Sequence, residues 1–242
     1  MERTISASES STQKFVTKTY AWMGIALLIS ASAAFFTANS IFKGGELSSF
    51  GAFLFRNGMV GLWLIAFAEI ALVVALSFSI RKISLRTAVI CFVAYSLLNG
   101  ITLSSIFIIY EITSIATTFL ATSAMFFVMA FYGATTKKNL ATAGRYLMMA
   151  LVGIIIVSLL EAVMRFLFHL NTNFLDFVIA VATVIVFTGL TAYDSQKVMR
   201  VARHSNGSED YQKVSILAAL ELYIDFINIF LALLRLFGRE RK

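Results

Sequence analysis

Residues 214–237 read VSILAALELYIDFINIFLALLRLF. At 1.5 Å rise per residue such a run is long enough to cross a hydrocarbon core of about 30 Å. Its charged and amide residues are few: Glu221, Asp225, Asn228 and Arg235. Counted from Glu221 they fall at offsets of about four, seven and fourteen, which at roughly 100° per residue confines them to an arc of about 80°. Ala232 shares that arc, and the opposite face is Leu, Ile and Phe. A helix lying on a soluble core would carry a broad polar face. A narrow polar stripe on an apolar body marks instead a membrane-spanning helix whose stripe faces a bundle interior or a water-filled cavity. This pattern suits a C-terminal helix that is central in its bundle, wrapped by the others.

Outward from that run, six more candidate spans appear: about Tyr20–Asn39, Met59–Ile80, Thr87–Tyr110, Ile112–Thr135, Tyr146–Leu170 and Phe174–Tyr193. The composition agrees, with 59% hydrophobic and only 14% charged residues, whereas a soluble domain carries about a quarter charged residues. No alternating pattern of short strands suggests a β-barrel. The expected fold is therefore an all-α integral membrane protein with seven transmembrane helices. It divides into a polar cytoplasmic N-terminal tail (1–19), a membrane domain (20–238) and a short basic C-terminal tail (239–242). The N-terminal stretch lacks the order of a cleaved signal peptide, so the first helix is expected to remain as a span. The net charge of +7 has a membrane explanation, since Lys and Arg gather in cytoplasmic loops. No aromatic-basic interleaving points to nucleic acid.

Those charges also orient the chain. Arg3, Lys14 and Lys18, then Arg81, Lys82 and Arg86, then Lys137, Lys138 and Arg145, then Lys197, Arg200, Arg203 and Lys213 all fall on one side. The other side has Lys43, Arg56 and Arg165. The bias places the N-terminus in the cytoplasm. The basic C-terminal residues Arg239, Arg241 and Lys242 resist it: either the last helix crosses regardless, or it re-enters and returns. Small residues at four-residue spacing, Ala26, Ser30, Ala34 and Ala38 in the first span and Ser96, Gly100 and Ser104 in the third, read as packing seams. Cys91, the single cysteine, reads as a small buried hydrophobe.

Acids inside a span are costly, by about 2.5–3.5 kcal/mol each on insertion scales, and persist when paired, hydrated or useful. Here they are Glu69, Glu161, Asp194, Glu221 and Asp225. Asp194 is placed at the cytoplasmic end of the sixth span, where the seventh begins, so Asp194 and Asp225 lie on helices that are sequence neighbours. Two carboxylates close together in low dielectric do not both ionise cheaply, and such a pair can hold a proton. The second span also ends on this side, at Arg81, whose guanidinium can pair with an ionised Asp194. Two readings stand at this point: a proton-sensitive latch, or Asp194 as a helix-end cap in headgroup water with Asp225 as interhelical glue. Glu69, Glu221 and Asn228 are candidates for an ion pathway.

Enzymatic readings fare poorly. Di-aspartyl intramembrane proteases pair Tyr-Asp with Gly-x-Gly-Asp, and Asp225 follows Tyr223-Ile224 without those glycines. Their Pro-Ala-Leu element cannot occur in a chain with no proline. His169 and His204, the two histidines, lie near loops, so no zinc site is expected, and neither is a cofactor. Gly44-Gly45 reads as a loop and Asn206-Gly207 as a turn.

Four stretches carry a resemblance. Thr188-Gly189-Leu190-Thr191-Ala192-Tyr193-Asp194-Ser195-Gln196-Lys197 and Leu222-Tyr223-Ile224-Asp225-Phe226-Ile227-Asn228-Ile229-Phe230-Leu231 resemble the last two spans of the bacterial transmembrane Bax-inhibitor-motif family. Asn99-Gly100-Ile101-Thr102-Leu103-Ser104-Ser105-Ile106-Phe107 and Tyr132-Gly133-Ala134-Thr135-Thr136-Lys137-Lys138 are similar to that branch as well, over about residues 15–239 in all. Many relatives have Pro where Ser105 stands. The resemblance implies seven helices around the last one, in a bacterial inner membrane. In some members it also implies a pH-sensitive calcium leak, in which aspartates matching Asp194 and Asp225 bind a proton and an Arg ending the second helix, here Arg81 or its neighbour Lys82, helps close the pore. Calcium then enters as the transported ion and takes oxygen ligands, with Asp225 and Asp194 as transient contacts and Glu221 and Glu69 beside the path. The alternative it implies is a stress or quality-control regulator that binds a membrane protease or another partner through its N-terminal tail.

Overall fold

The structure is a computed structural model. It describes residues 2–43, 46–55, 60–80, 82–205 and 207–241, with side chains from residue 11 onward except those of residues 42, 43 and 166. The helices are α1 (Glu2–Ile41), α2 (Ser49–Phe55), α3 (Val60–Ser79), α4 (Leu85–Ile109), α5 (Ile112–Thr135), α6 (Ala141–Phe168), α7 (Asn173–Ala202) and α8 (Glu209–Phe237). A two-stranded antiparallel ribbon, β1 (Phe42–Lys43) and β2 (Glu46–Leu47), pairs Phe42 with Leu47 and Lys43 with Glu46. Among the described residues seven helices, all but α2, are long and apolar enough to span a membrane. The chain is an all-α membrane protein. Leu28, Phe78, Phe127 and Met149 are exposed along the spans, as side chains solvated by lipid should be. Gly44, Gly45, Arg56, Arg81 and Asn206, read above as loop, turn or gating residues, lie outside the described residues.

The chain forms two compact units. One comprises the chain up to Tyr110, Ala202–Leu220 and the residues from Glu240; the other comprises Glu111–Val201 and Glu221–Arg239.

In the first unit α1 and α3 both pack on α4. The small-residue seams do the work expected of them. Ala26, Ser30 and Ala34 are buried, Ser30 Oγ donates to Ser96 O (2.7 Å), and a Cβ at Gly100 would meet Ser30 O and Ala33 Cβ at 2.6 Å. Without a hydrophobic driving force in lipid, this close backbone approach is what holds two helices together. Trp22 packs edge-on against Phe92. Cys91 is half-buried in α4. Ser84 caps α4 by accepting from Thr87 N.

The start of α8 belongs to this unit and is clasped within it. Glu209 accepts from Leu85 N (3.1 Å). Lys213 is buried, pairs with Asp210 (2.8 Å) and donates to Ile83 O (3.3 Å). The segment read as a polar tail is helical as part of α1. Thr12 donates to Ala202 O, Lys18 to Gln212, and the Phe15 ring meets that of Tyr211.

In the second unit α7 and residues 221–237 of α8 share a core of Val186, Phe187, Leu190, Ile229 and Leu233, flanked by Met125 of α5 and by Leu147, Leu151 and Ile154 of α6. Of the seven spans α8 is the most covered, with 72% of its apolar window buried against 6–39% for the others.

The C-terminus resolves the conflict in the charge pattern. As one helix of 29 residues, α8 is about 43 Å long, so it crosses and does not re-enter. Past its end, Tyr110 pairs with Glu240 in an antiparallel bridge and Arg241 N donates to Ile109 O (2.8 Å). In the other unit Glu111 N donates to Arg239 O, and Arg239 N donates to Ser114 Oγ. The basic tail thus sits at the α4–α5 turn. The positive-inside bias tolerates a short charged tail because it is a statistical preference summed over loops. Single cysteines at Glu111 and Glu240, in a Cys91→Ser background, are expected to react with an impermeant maleimide from one membrane face, and a cysteine at Lys137 from the other.

Candidate functional site

The site lies where α7 and α8 run side by side in the second unit. The sequence reading ended the sixth span near Tyr193, but α7 continues to Ala202. Its buried face, Thr191, Ser195, Val198 and Ala202, keeps a helical spacing beyond the point where charged residues begin. Asp194 is therefore a mid-helix residue, not a helix-end cap, and the cap reading is excluded.

Three neighbours of Asp194 are pinned. Gly133, near the end of α5, has no side chain, and a Cβ there would strike the backbone carbonyl of Ala192. Gly144 of α6 leaves room for the Tyr193 ring, which a Cβ would meet at 2.5–2.8 Å. Gln196 uses both ends of its amide on the α5–α6 connection, donating to Lys138 O (2.7 Å) and accepting from Leu140 N (2.9 Å). Asp225 is fixed from the other side. Phe226 meets Phe119 and Phe126 of α5 edge-on, with ring centroids 5.3 and 5.6 Å apart, and Tyr223 is fully buried.

The carboxyls of Asp194 and Asp225 come within hydrogen-bonding range of each other. Asp225 is 3% exposed. Among the described residues its Oδ2 is the buried side-chain polar atom that no hydrogen-bond partner reaches. The Thr191 hydroxyl lies within hydrogen-bonding reach of Asp225 and also donates to Phe187 O (2.8 Å). Two carboxyl groups in contact have four acceptor oxygens and no donor of their own when both are ionised, and a proton between them would supply one.

One turn along, Lys197 Nζ binds both oxygens of Glu221 (2.7 and 2.8 Å). Three residues onward on α7 and four back on α8 lead from one pair to the other, the step expected of antiparallel helices. Glu221 acts electrostatically on both aspartates, and Lys197 on Asp194.

The other sequence candidates fall elsewhere. Glu221, read as a candidate for an ion pathway, has both its oxygens engaged by Lys197. Asn228 donates to Ile224 O of its own helix (2.8 Å). Arg235, on the same stripe, pairs with Asp176 (3.1 Å). Of the stripe expected to face inward Asp225 and Ala232 are buried; Glu221 and Asn228 are half-buried and Arg235 is exposed. Glu69 belongs to the first unit, where Asn99 Nδ2 (3.1 Å) and Thr102 Oγ1 (2.6 Å) donate to it. Arg81 lies outside the described residues, and Lys82 is exposed. Glu161 is held by Arg165 and Thr172. No three His, Cys, Asp or Glu gather into a cation cage among the described residues.

Sequence reasoning missed Gln196, the Lys197–Glu221 pair and the Arg235–Asp176 pair. The second was findable, because residues paired across an antiparallel helix hairpin keep a nearly constant sum of positions, and both Asp194 with Asp225 and Lys197 with Glu221 satisfy it.

A family model described as "Inhibitor of apoptosis-promoting Bax1" matches residues 12–242. Inner membrane protein YbhL of Escherichia coli K12 is 42% identical over 231 residues, covering 95% of this chain and 93% of that protein. An uncharacterized protein of Borreliella burgdorferi is 41% identical over 230 residues (95% and 93%). One of Rickettsia prowazekii is 35% identical over 229 residues (95% and 91%).

Overpacking a tight contact costs about 1–3 kcal/mol. Gly133→Ala is therefore expected to lower the melting temperature of the purified protein by several degrees, while Gly153→Ala, with nothing within 4 Å of the added Cβ, leaves it unchanged. Gln196→Ala, which removes two hydrogen bonds from the connection, is expected to cost about 1–3 kcal/mol in the same melt.

Proposed function

This chain belongs to the Bax inhibitor family of membrane proteins, and on that premise we propose that it is a pH-sensitive calcium leak gated by a proton shared between Asp194 and Asp225. One observation carries the reading: a buried carboxyl group with an unpartnered oxygen, beside a second carboxyl. With the proton bound, the pair is a hydrogen-bonded unit that ties α7 to α8. With the proton gone, two charges repel in a site that offers them little solvation, and the helix pair changes its packing. Arg81 is assigned the counter-charge role, receiving the ionised pair. An inside-negative potential drives a cation inward by roughly 2.3 kcal/mol per charge per 100 mV. Weak contacts suit conduction because an ion that binds loosely also leaves.

YbhL is described as an inner membrane protein, and we place this chain likewise in a bacterial inner membrane with its N-terminus in the cytoplasm. The reading assigns it no enzymatic activity and no resident cofactor. The alternative, a regulator that binds a membrane protease through the N-terminal tail, draws less support, since Thr12, Phe15 and Lys18 are engaged within their own chain.

The test is calcium influx into dye-loaded liposomes holding the purified protein, scanned over about pH 6 to 8, the range in which a shared carboxyl proton would exchange. The wild type is expected to show influx that varies with pH, and Asp194→Asn and Asp225→Asn to flatten the variation. Folded protein that passes no more calcium than empty liposomes at any pH would sink the leak. A wild-type profile unchanged in both variants would sink the aspartate gate.

A further inference from the structure

Lys197 and Glu221 have no role in the gate as proposed, yet the same two helices hold them one turn away from the aspartates. Both oxygens of Glu221 are engaged by the ammonium. The pair is also partly exposed, with side-chain exposures of 44% for Lys197 and 31% for Glu221, while Asp225 beside it is enclosed. Its position is toward the Lys- and Arg-rich end of α7, which continues through Arg200 to Ala202. An ion travelling along the α7–α8 seam between the aspartates and that end would meet this pair.

Resting on the leak reading, we propose that the Lys197–Glu221 pair is a charge filter: the lysine cancels the glutamate and so sets how strongly the cytoplasmic step of the path favours divalent over monovalent cations. The physical reason is the valence dependence of local concentration. At a site of given potential a divalent ion is enriched by the square of the factor for a monovalent ion. A change of one unit charge at this step therefore alters the ratio of calcium to potassium flux as well as the total. A salt bridge that served only to hold α7 against α8 would change stability and total flux, and leave that ratio alone.

The experiment uses the full chain in liposomes, with calcium and potassium fluxes measured at one pH under matched gradients. The variants are Lys197→Gln, Lys197→Arg, Glu221→Gln and the exchange Lys197→Glu with Glu221→Lys. Lys197→Gln exposes the glutamate charge and is expected to raise the calcium-to-potassium ratio about three-fold or more. Glu221→Gln leaves the lysine unbalanced and is expected to lower the ratio. Lys197→Arg and the exchange, which keep the net charge, are expected to stay within about two-fold of wild type. Monodispersity and melting temperature establish that each variant is folded. If Lys197→Gln does not fold, Glu221→Gln reads the same effect with opposite sign. Wild-type flux with a ratio that no folded variant changes overturns the filter and leaves the leak standing. A wild type that passes neither ion overturns both.

Discussion

Hydrocarbon offers no hydrogen bond to a polar group, and most of this structure can be read as the answer to that constraint. Glu69 crosses to Asn99 and Thr102. Glu161 closes a triangle with Arg165 and Thr172. Thr19, Thr122, Thr183 and Thr191 each return their hydroxyl proton to the carbonyl four residues earlier. Asn228 does the same with its amide. Against that background the bare oxygen of Asp225 is an exception with a meaning. The other described buried side-chain polar atoms find a partner within the protein, and this one does not.

A proton shared between two side chains is useful only if their separation is defined. The definition comes from backbone contact more than from side-chain filling. Gly133 against Ala192 and Gly144 against Tyr193 remove the compliance that longer side chains would introduce. Gln196 then ties the α5–α6 connection to the same turn of α7. The stretches Tyr132–Lys138 and Thr188–Lys197, which drew attention as motifs, are thus two sides of one junction, and Gly133 is there because nothing larger fits against the Ala192 backbone.

Seven spans were legible in the sequence because crossing lipid demands long apolar runs, and residues 112–135 were bounded correctly by that demand alone. Helix ends were less legible. α7 runs past its apolar stretch because Val198 and Ala202 keep its buried face going, and α1 begins well before its own. The seven-residue α2 and the ribbon beside it are too short for hydropathy to register. At the site, the two aspartates were found from their cost in a membrane, and their contact followed the expectation that joined antiparallel helices are neighbours. The stripe on α8 misled: sharing an arc with Asp225 did not make Glu221, Asn228 and Arg235 inward-facing. Each of them met a local partner instead, which an analysis of one helix at a time has no means of seeing.

The pairing of the C-terminal residues with the α4–α5 turn has a consequence for biogenesis. Ile109 O and Glu111 N belong to the α4–α5 turn, while their partners, Arg241 N and Arg239 O, are made only after all of α8. Until then the turn keeps backbone groups waiting, and water can hold them in the interim. Closure of the turn is thereby tied to synthesis of α8 and the residues just past it. A ribosome stalled within α8 would leave a product whose α4–α5 hairpin is unlocked, a mark by which quality control could recognise it.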